Sequence, residues 1–417
     1  MKQTIQFALL VGLILLGISP ERVSAKEDDQ YTFDVETFAK KTWEWQGEIS
    51  TVATRKELNS DSDLYPVKFP QSDQAHLNEL NLQLSLESRW DWGWSRLFLA
   101  GEAHRLRSSL EDANSESTVL NEGYWQFSEV DPHNIEIGKR LLRWGKGYAF
   151  NPVSFLERSK NPEDPEASRE GLWMVQGIWI PGGFSLFDSS SLTLVYLPVR
   201  DDLNDNYQPT ISEENFWGVK LYALIGTTDI DLYLIQKNQQ EESDWGFDFA
   251  TNLTSSFEVH GEYAANHVEA LNYQTMLLGL RYLTENDVTW IAEAYHDSAG
   301  LTKDESRALF TSLESGSPVA VKNAVSLIQQ SKTLNQNYSY LKVSVKEPFN
   351  WLYFTPSMAW LTNLDDSSTN INTQLAYAPA ANWLFQFSWQ FLSGDVRTQY
   401  GENLIKNRTG FEVAYSF

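Results

Sequence analysis

Cysteine is absent from all 417 residues. Cations are scarce: 32 Lys and Arg stand against 56 Asp and Glu, a formal charge of −24. Long apolar runs are nearly missing too, the best being Phe7–Ile18, about 12 residues, where a spanning helix needs about 20. Each absence excludes something. Without cysteine there is no disulfide scaffold and no thiol chemistry, so the chain must hold itself together by backbone hydrogen bonding or a large core. The acidic balance lacks the basic footprint of a nucleic-acid binder and disfavours adsorption to anionic phospholipid. The one apolar run follows Lys2 and precedes Val23-Ser24-Ala25, which fits a secretory signal of residues 1–25 and a mature single domain of residues 26–417.

Aromatic residues are abundant: 16 Trp, 18 Tyr and 22 Phe, in a chain whose mean hydropathy is only −0.39. Many of these rings recur at every second position. In "GFEVAYSF", Phe411, Val413, Tyr415 and Phe417 alternate with Glu412, Ala414 and Ser416. Leu80, Leu82, Leu84 and Leu86 alternate with Asn81, Gln83, Ser85 and Glu87, and Trp383 to Phe391 repeats the pattern. A period of two puts the large apolar groups on one face of a strand. Segments of about ten residues with one face this apolar are the mark of a membrane-spanning barrel. About 18 such segments can be counted, so the expected fold is all-β, a transmembrane antiparallel β-barrel of 16–18 strands. Tight turns ("DWGW", "EVDPHN", "IGTTD", "TNLTSS", "TENDV", "KEPFN", "APAAN") mostly alternate with longer stretches, notably 144–170 and 297–336. Short periplasmic turns, long extracellular loops, and a last strand closed on the first are therefore expected.

If the apolar parity meets lipid, the other parity lines the lumen. That brings Glu102, Glu122 and Arg140 toward one interior wall, with Asp248, Glu258, His260, Glu262, Arg281 and Glu293 further round. Such charges either select solutes by their field or form ion-pair ladders that stabilise the wall. An interior this polar implies water, hence a channel. Lys139 is the misfit. It shares the parity of Ile135 and Ile137, where a lysine at the bilayer centre costs about 2–4 kcal/mol, so it must snorkel or the register must slip. The stretch 144–170 breaks the strand pattern with Gly145, Gly147, Asn151-Pro152 and Asn161-Pro162, and charges crowd it and its lead-in: Arg143, Lys146, Glu157, Arg158 and Lys160. It either narrows the pore or lies on the rim. Within 297–336, "DESRALFTSLES", with Asp304 as its cap, and "SPVAVKNAVSLIQQS" have helical character.

Two resemblances add to this. Gly138-Lys139, Trp144-Gly145 and Asn151-Pro152 stand where a porin-like family of outer-membrane barrels carries a Gly-Arg/Lys strand, a "W-G" and an "N-P" pair; the match runs from Glu122 to Pro198. The family's usual Arg-Gln after the strand glycine is Lys139-Arg140 here. The last strand, from Gly410 to the final Phe, resembles the signal by which such barrels are recognised for assembly. The resemblances imply an outer-membrane location, lipid and lipopolysaccharide as surroundings, and the barrel-assembly machinery as partner. Passive diffusion of small polar or amphipathic solutes is the expected function, with a lining that favours cations and a homo-oligomer as an open option. A channel for hydrophobic compounds, like the fatty-acid transporters, and a closed structural barrel are the rivals. Only about 15 residues separate the cleavage site from the first strand, too few for the plug of a gated receptor. Neither a Ser/His/Asp arrangement nor HExxH occurs, so no enzyme is expected and no cofactor or metal is implied. His260 between Glu258 and Glu262 reads as a solvated face, because residues two apart on a strand lie about 6.5–7 Å apart and do not converge on one ion.

Overall fold

A computed structural model describes residues 42–69, 74–110, 113–128, 134–181, 187–200, 203–204, 215–238, 243–268, 271–315 and 317–417. The signal expected over 1–25 lies outside these residues. Eighteen strands follow in chain order: β1 (Trp43–Leu58), β2 (His76–Asp91), β3 (Ser95–Ser108), β4 (Ser115–Phe127), β5 (Asn134–Arg140) and β6 (Leu172–Trp179). Then come β7 (Ser189–Leu197), β8 (Phe216–Ile225), β9 (Thr228–Lys237), β10 (Asp244–Thr254), β11 (Phe257–Val268) and β12 (Leu271–Leu283). The last are β13 (Val288–Asp297), β14 (Asn337–Val345), β15 (Phe354–Asn363), β16 (Thr369–Ala380), β17 (Trp383–Ser393) and β18 (Ile405–Ser416). Each pairs antiparallel with its chain neighbours, and β1 also pairs with β18 in the register Thr51↔Val413. The sheet is closed, so no edge is left unpaired in hydrocarbon. Phe417 and Gly47 exchange backbone hydrogen bonds at 2.9 Å each, which ties down the end of the chain.

The outer wall carries the large side chains. Leu82, Leu221, Leu232 and Leu278 are exposed although fully apolar. A continuous surface of this kind matches acyl chains, and it would be a liability in water. Trp92, Trp94, Trp179, Trp290, Trp383 and Phe417 are exposed around the end that holds the short turns, as in an interfacial aromatic girdle. Six of the seven tight turns anticipated from sequence fall at this end, and the described long connections at the other; "EVDPHN", apart from Asn134, lies outside the described residues, as does most of 199–214.

The wall is uneven. β1 and β2 have 16 residues each, whereas β5 and β6 have 7 and 8. The connection between the two short strands, 141–171, compensates by folding into the barrel. At the long-loop end, the helices Lys303–Ser315 and Pro318–Gln330 form a small core through Phe310, Leu313 and Ala324 with Leu64 of the β1–β2 connection. Arg397 of the β17–β18 connection binds Glu314 through two bonds of 2.7 Å. These helices therefore pack against the β1–β2 and β17–β18 connections at that end. The first is capped by Thr302, whose backbone and hydroxyl both bond Glu305 (2.9 and 2.7 Å), a reciprocal cap that replaces the one expected at Asp304.

The two faces of one strand give a direct test. Leu82→Arg, on the outer face, should destabilise the barrel in lipid by about 2–4 kcal/mol if it sits near the bilayer midplane. Gln83→Arg, on the inner face, should change it by much less. Urea unfolding in lipid vesicles measures both.

Candidate functional site: the inward loop and the space beside it

The loop enters the barrel because its backbone donors meet carboxylates on the far wall. Glu262 of β11 accepts from the N–H groups of Lys146 (2.6 Å), Gly147 (2.5 Å) and Val153 (3.2 Å). Glu293 of β13 accepts from Tyr148 and, at 2.9 Å, from Ala149, and it faces His260 Nε2 at 3.1 Å. Gly145 has φ +93°, and a side chain there would meet Glu262 Oε1 at 2.7 Å; glycine is required on both counts. Lys146 reaches Asp231 of β9 at 3.0 Å, which Lys220 of β8 shares at 3.2 Å. Tyr233 donates to Asp248 at 2.5 Å.

Packing does the rest. Trp144, Val153, Phe155 and Leu156 bury against Met174, Val195, Leu197 and Ile235 of the inner wall. Phe150 stacks on Tyr295 at 4.2 Å and belongs to a second cluster with Leu277, Tyr338 and Tyr340. From β6 to β14 the interior is therefore filled by the loop, and Asp248, His260, Glu262 and Glu293, expected to be solvated there, are buried and bonded. Along β6, β7 and β9 the inner parity packs on the loop and not on water: Leu172, Met174, Val195, Leu197, Tyr233 and Ile235 are buried there, beside the buried polar Gln176, Asp231 and Lys237.

On the β1–β4 side the inner wall stays polar, and a space of about 770 Å³ remains between it and the loop. Glu48, Glu87, Glu102, Glu122 and Glu166 line it, with Arg143, Arg169 and Phe98. Glu122 is buried between Arg140 and Arg143, at 2.8 Å from each. Arg140 also reaches Glu136 at 3.0 Å and lies over the Tyr124 ring at 4.2 Å. Glu102 accepts from Asn121 at 2.7 Å and contacts His104 at 3.0 Å. Arg143 has φ +55°, a left-handed conformation uncommon outside glycine. Its N–H donates to Glu157 at 3.0 Å, and Glu157 is also bound by Arg169 at 3.2 Å. Burial pushes the Glu157 carboxyl up, while Arg169 works the other way. Burial also acts against the charge of Glu166, but hydrogen bonds from Lys342 and Tyr148 outweigh it and hold that carboxyl below its ordinary value.

The residues singled out from sequence thus divide. Glu102, Glu122, Arg140 and Arg143 meet beside the open space. Lys146, Glu157, Glu262, Glu293 and His260 do not line it; they fasten the loop. His260 and Glu262 are buried and bonded, which corrects the solvated face expected of them. Arg158 binds Glu170 at 3.4 Å. Glu258 contacts His260 Nδ1 at 3.5 Å, and Arg281, exposed near the short-turn end, is its register partner. Lys139 neither snorkels nor shifts register: it stays opposite Gly123 and Trp173 and pairs with Glu170. Sequence reasoning missed Asp231, Lys220, Arg169 and Glu166. The alternation of Asp229 and Asp231 with Ile230 and Leu232 was a usable sign for the first of these.

A closed membrane-spanning barrel with a loop folded into its lumen is the class that this geometry defines. No protein-family model matches the chain, and no curated protein matches it in sequence. Solved structures do. Pseudomonas aeruginosa OpdQ aligns at TM-score 0.56 and 8% identity, over 91% of this chain and 99% of its own. A BenF-like porin from Pseudomonas fluorescens Pf-5 aligns at 0.53 and 8%, over 90% and 98%. Acinetobacter baumannii OccAB3 aligns at 0.51 and 9%, over 90% and 99%. At these identities the likeness shows the fold.

Glu262 gives the test of the loop's anchorage. Glu262→Ala leaves three N–H groups without their acceptor, at about 1–3 kcal/mol for each that stays buried. The expected outcome is a loop released from the wall, with raised and noisier single-channel conductance, while the barrel keeps its folded, heat-modifiable mobility on gels.

Proposed function

We propose that the protein is an outer-membrane channel through which small polar or amphipathic solutes diffuse passively. The observation that carries this reading is the loop 141–171, which packs one side of the lumen shut and leaves the charged space beside β1–β4 open. A solved neighbour described as a BenF-like porin supports it. In this reading the short-turn end faces the periplasm, and the long loops face outward among lipopolysaccharide. The terminal strand serves as the recognition element for the barrel-assembly machinery, and the exposed wall is available for association with further copies. No catalytic step is assigned to any residue.

Charge decides the preferred solute. Five carboxylates against two guanidinium groups line the space, so cations pass more readily than anions. In planar bilayers the protein should conduct, and its zero-current potential in a salt gradient should have the cation-selective sign. A unit charge about 8 Å from an ion in water acts with roughly 0.5 kcal/mol. Glu102→Gln should therefore lower cation passage and raise anion passage by about twofold each, which lowers the cation-to-anion permeability ratio by a factor of about five. A channel that stays silent, or an anion-selective wild type, overturns the reading.

A further inference from the structure

Lys139 is the residue that the barrel wall does not explain. It stands on the outer parity with Ile135 and Ile137, both about half exposed at 51% and 48%. Its side chain is only 11% exposed, because its ammonium is paired with Glu170. Arg158 binds the same carboxylate at 3.4 Å, so two cations share one acid in the wall. The returning limb of the loop makes this junction. Ser168 and Arg169 face the pore space, Ser168 accepts from Asn121 at 3.0 Å, and the Gly171 N–H donates to the Asn121 carbonyl at 2.8 Å. On the lipid side, next to Lys139, lies a hollow of about 420 Å³ lined by Leu97, Leu99, Trp125, Ile137, Trp173 and Val175. Gly123 and Gly138 also line it; a side chain on Gly138 would strike the backbone of Tyr124 at 2.7 Å.

An ionisable residue kept in a membrane wall is costly and points to use. We propose that the hollow and the Lys139–Arg158 pair form a binding site for a single-chain amphiphile with a carboxylate head. The tail lies along the hollow, and the head takes the place that Glu170 holds. The two cations are already arranged about one carboxylate, so exchanging Glu170 for a ligand's carboxylate brings no new unpaired charge into the wall. The volume falls within the range of small-molecule sites, about 300–1,000 Å³, and suits one chain better than a two-chain lipid. The hollow opens to the bilayer, where such molecules dissolve. The site rests on the outer parity being the lipid face and not on the pore conducting.

The test uses the whole protein in phosphatidylcholine nanodiscs with two photoprobes of identical tail, a diazirine-tailed dodecanoic acid and the corresponding dodecanol. The acid should label the peptides carrying Trp125 and Trp173 several-fold more than the alcohol. Lys139→Met should bring the acid down to the level of the alcohol. Val175→Trp fills the hollow from the lipid side without touching the ions and should lower labelling by both, so the site remains testable if the lysine variant fails to fold. Equal labelling of the wild type by acid and alcohol overturns the proposal, as does unchanged acid labelling in Lys139→Met. Displacement of the acid by added phosphatidylglycerol also overturns it, by assigning the site to phospholipid headgroups. Conductance measured on the same Val175→Trp sample should equal that of the wild type, which separates failure of this site from failure of the channel.

Discussion

Two buried carboxylates, Glu262 and Glu293, hold the interior of this barrel in place. Between them they accept five backbone N–H groups from Lys146, Gly147, Tyr148, Ala149 and Val153. Hydrogen bonds to ionised acceptors are shorter and about twice as strong as neutral ones, and here they satisfy both partners at once. The loop brings donors that have no helix or strand to serve, and the wall brings charges that have no water. Either alone would be costly to bury. Together they fix the loop against β11 and β13, and the open space lies at the opposite wall.

That arrangement explains why one chain carries two kinds of inner surface. From β6 to β9 the strand interiors carry Met174, Val195, Leu197, Tyr233 and Ile235, buried against the loop, with Asp231 paired to Lys146 and Lys220 among them. From β1 to β4 they read Gln46, Glu87, Glu102 and Glu122, at the open space. The first surface behaves as the core of a soluble domain, stabilised by removing apolar area from water at about 25 cal/mol per Å². The second keeps its charges, bridged by Arg140 and Arg143, because water reaches them. The barrel is a packed domain on one side and a wet wall on the other.

The sequence disclosed the frame well and the interior poorly, for one physical reason. Strand alternation and turn chemistry are local. Phe411, Val413 and Tyr415 announce their strand without reference to anything distant, so all 18 strands and the split between short turns and long loops could be read directly. The loop contacts are not local: Lys146 meets Glu262 across 116 positions and Tyr148 meets Glu293 across 145. Nothing in "HGEYAANH" marks Glu262 as an acceptor for a glycine-rich turn in place of a channel-lining acid. Where the loop packs, the parity rule loses its contrast as well. Leu172, Trp173, Met174 and Val175 are apolar on both faces, and only the fold separates the lipid side from the core side.

Lys139 shows the reverse case, a residue whose local misfit was legible and whose resolution was not. The alternation of β5 places it outward, and the structure keeps it there, opposite Gly123 and Trp173. A register shift would have moved Ile135 and Ile137 inward with it, since a slip of one residue exchanges the two faces of the whole strand. Both are half exposed on the outer wall and would be lost to lipid. Pairing with Glu170 is the smaller change: it adds a counter-charge at one point and leaves the strand untouched. It also requires that the loop return to the wall at that point, because Glu170 lies two residues before β6. The short β5 and β6, the in-folded loop and the paired lysine are therefore consequences of a single chain path.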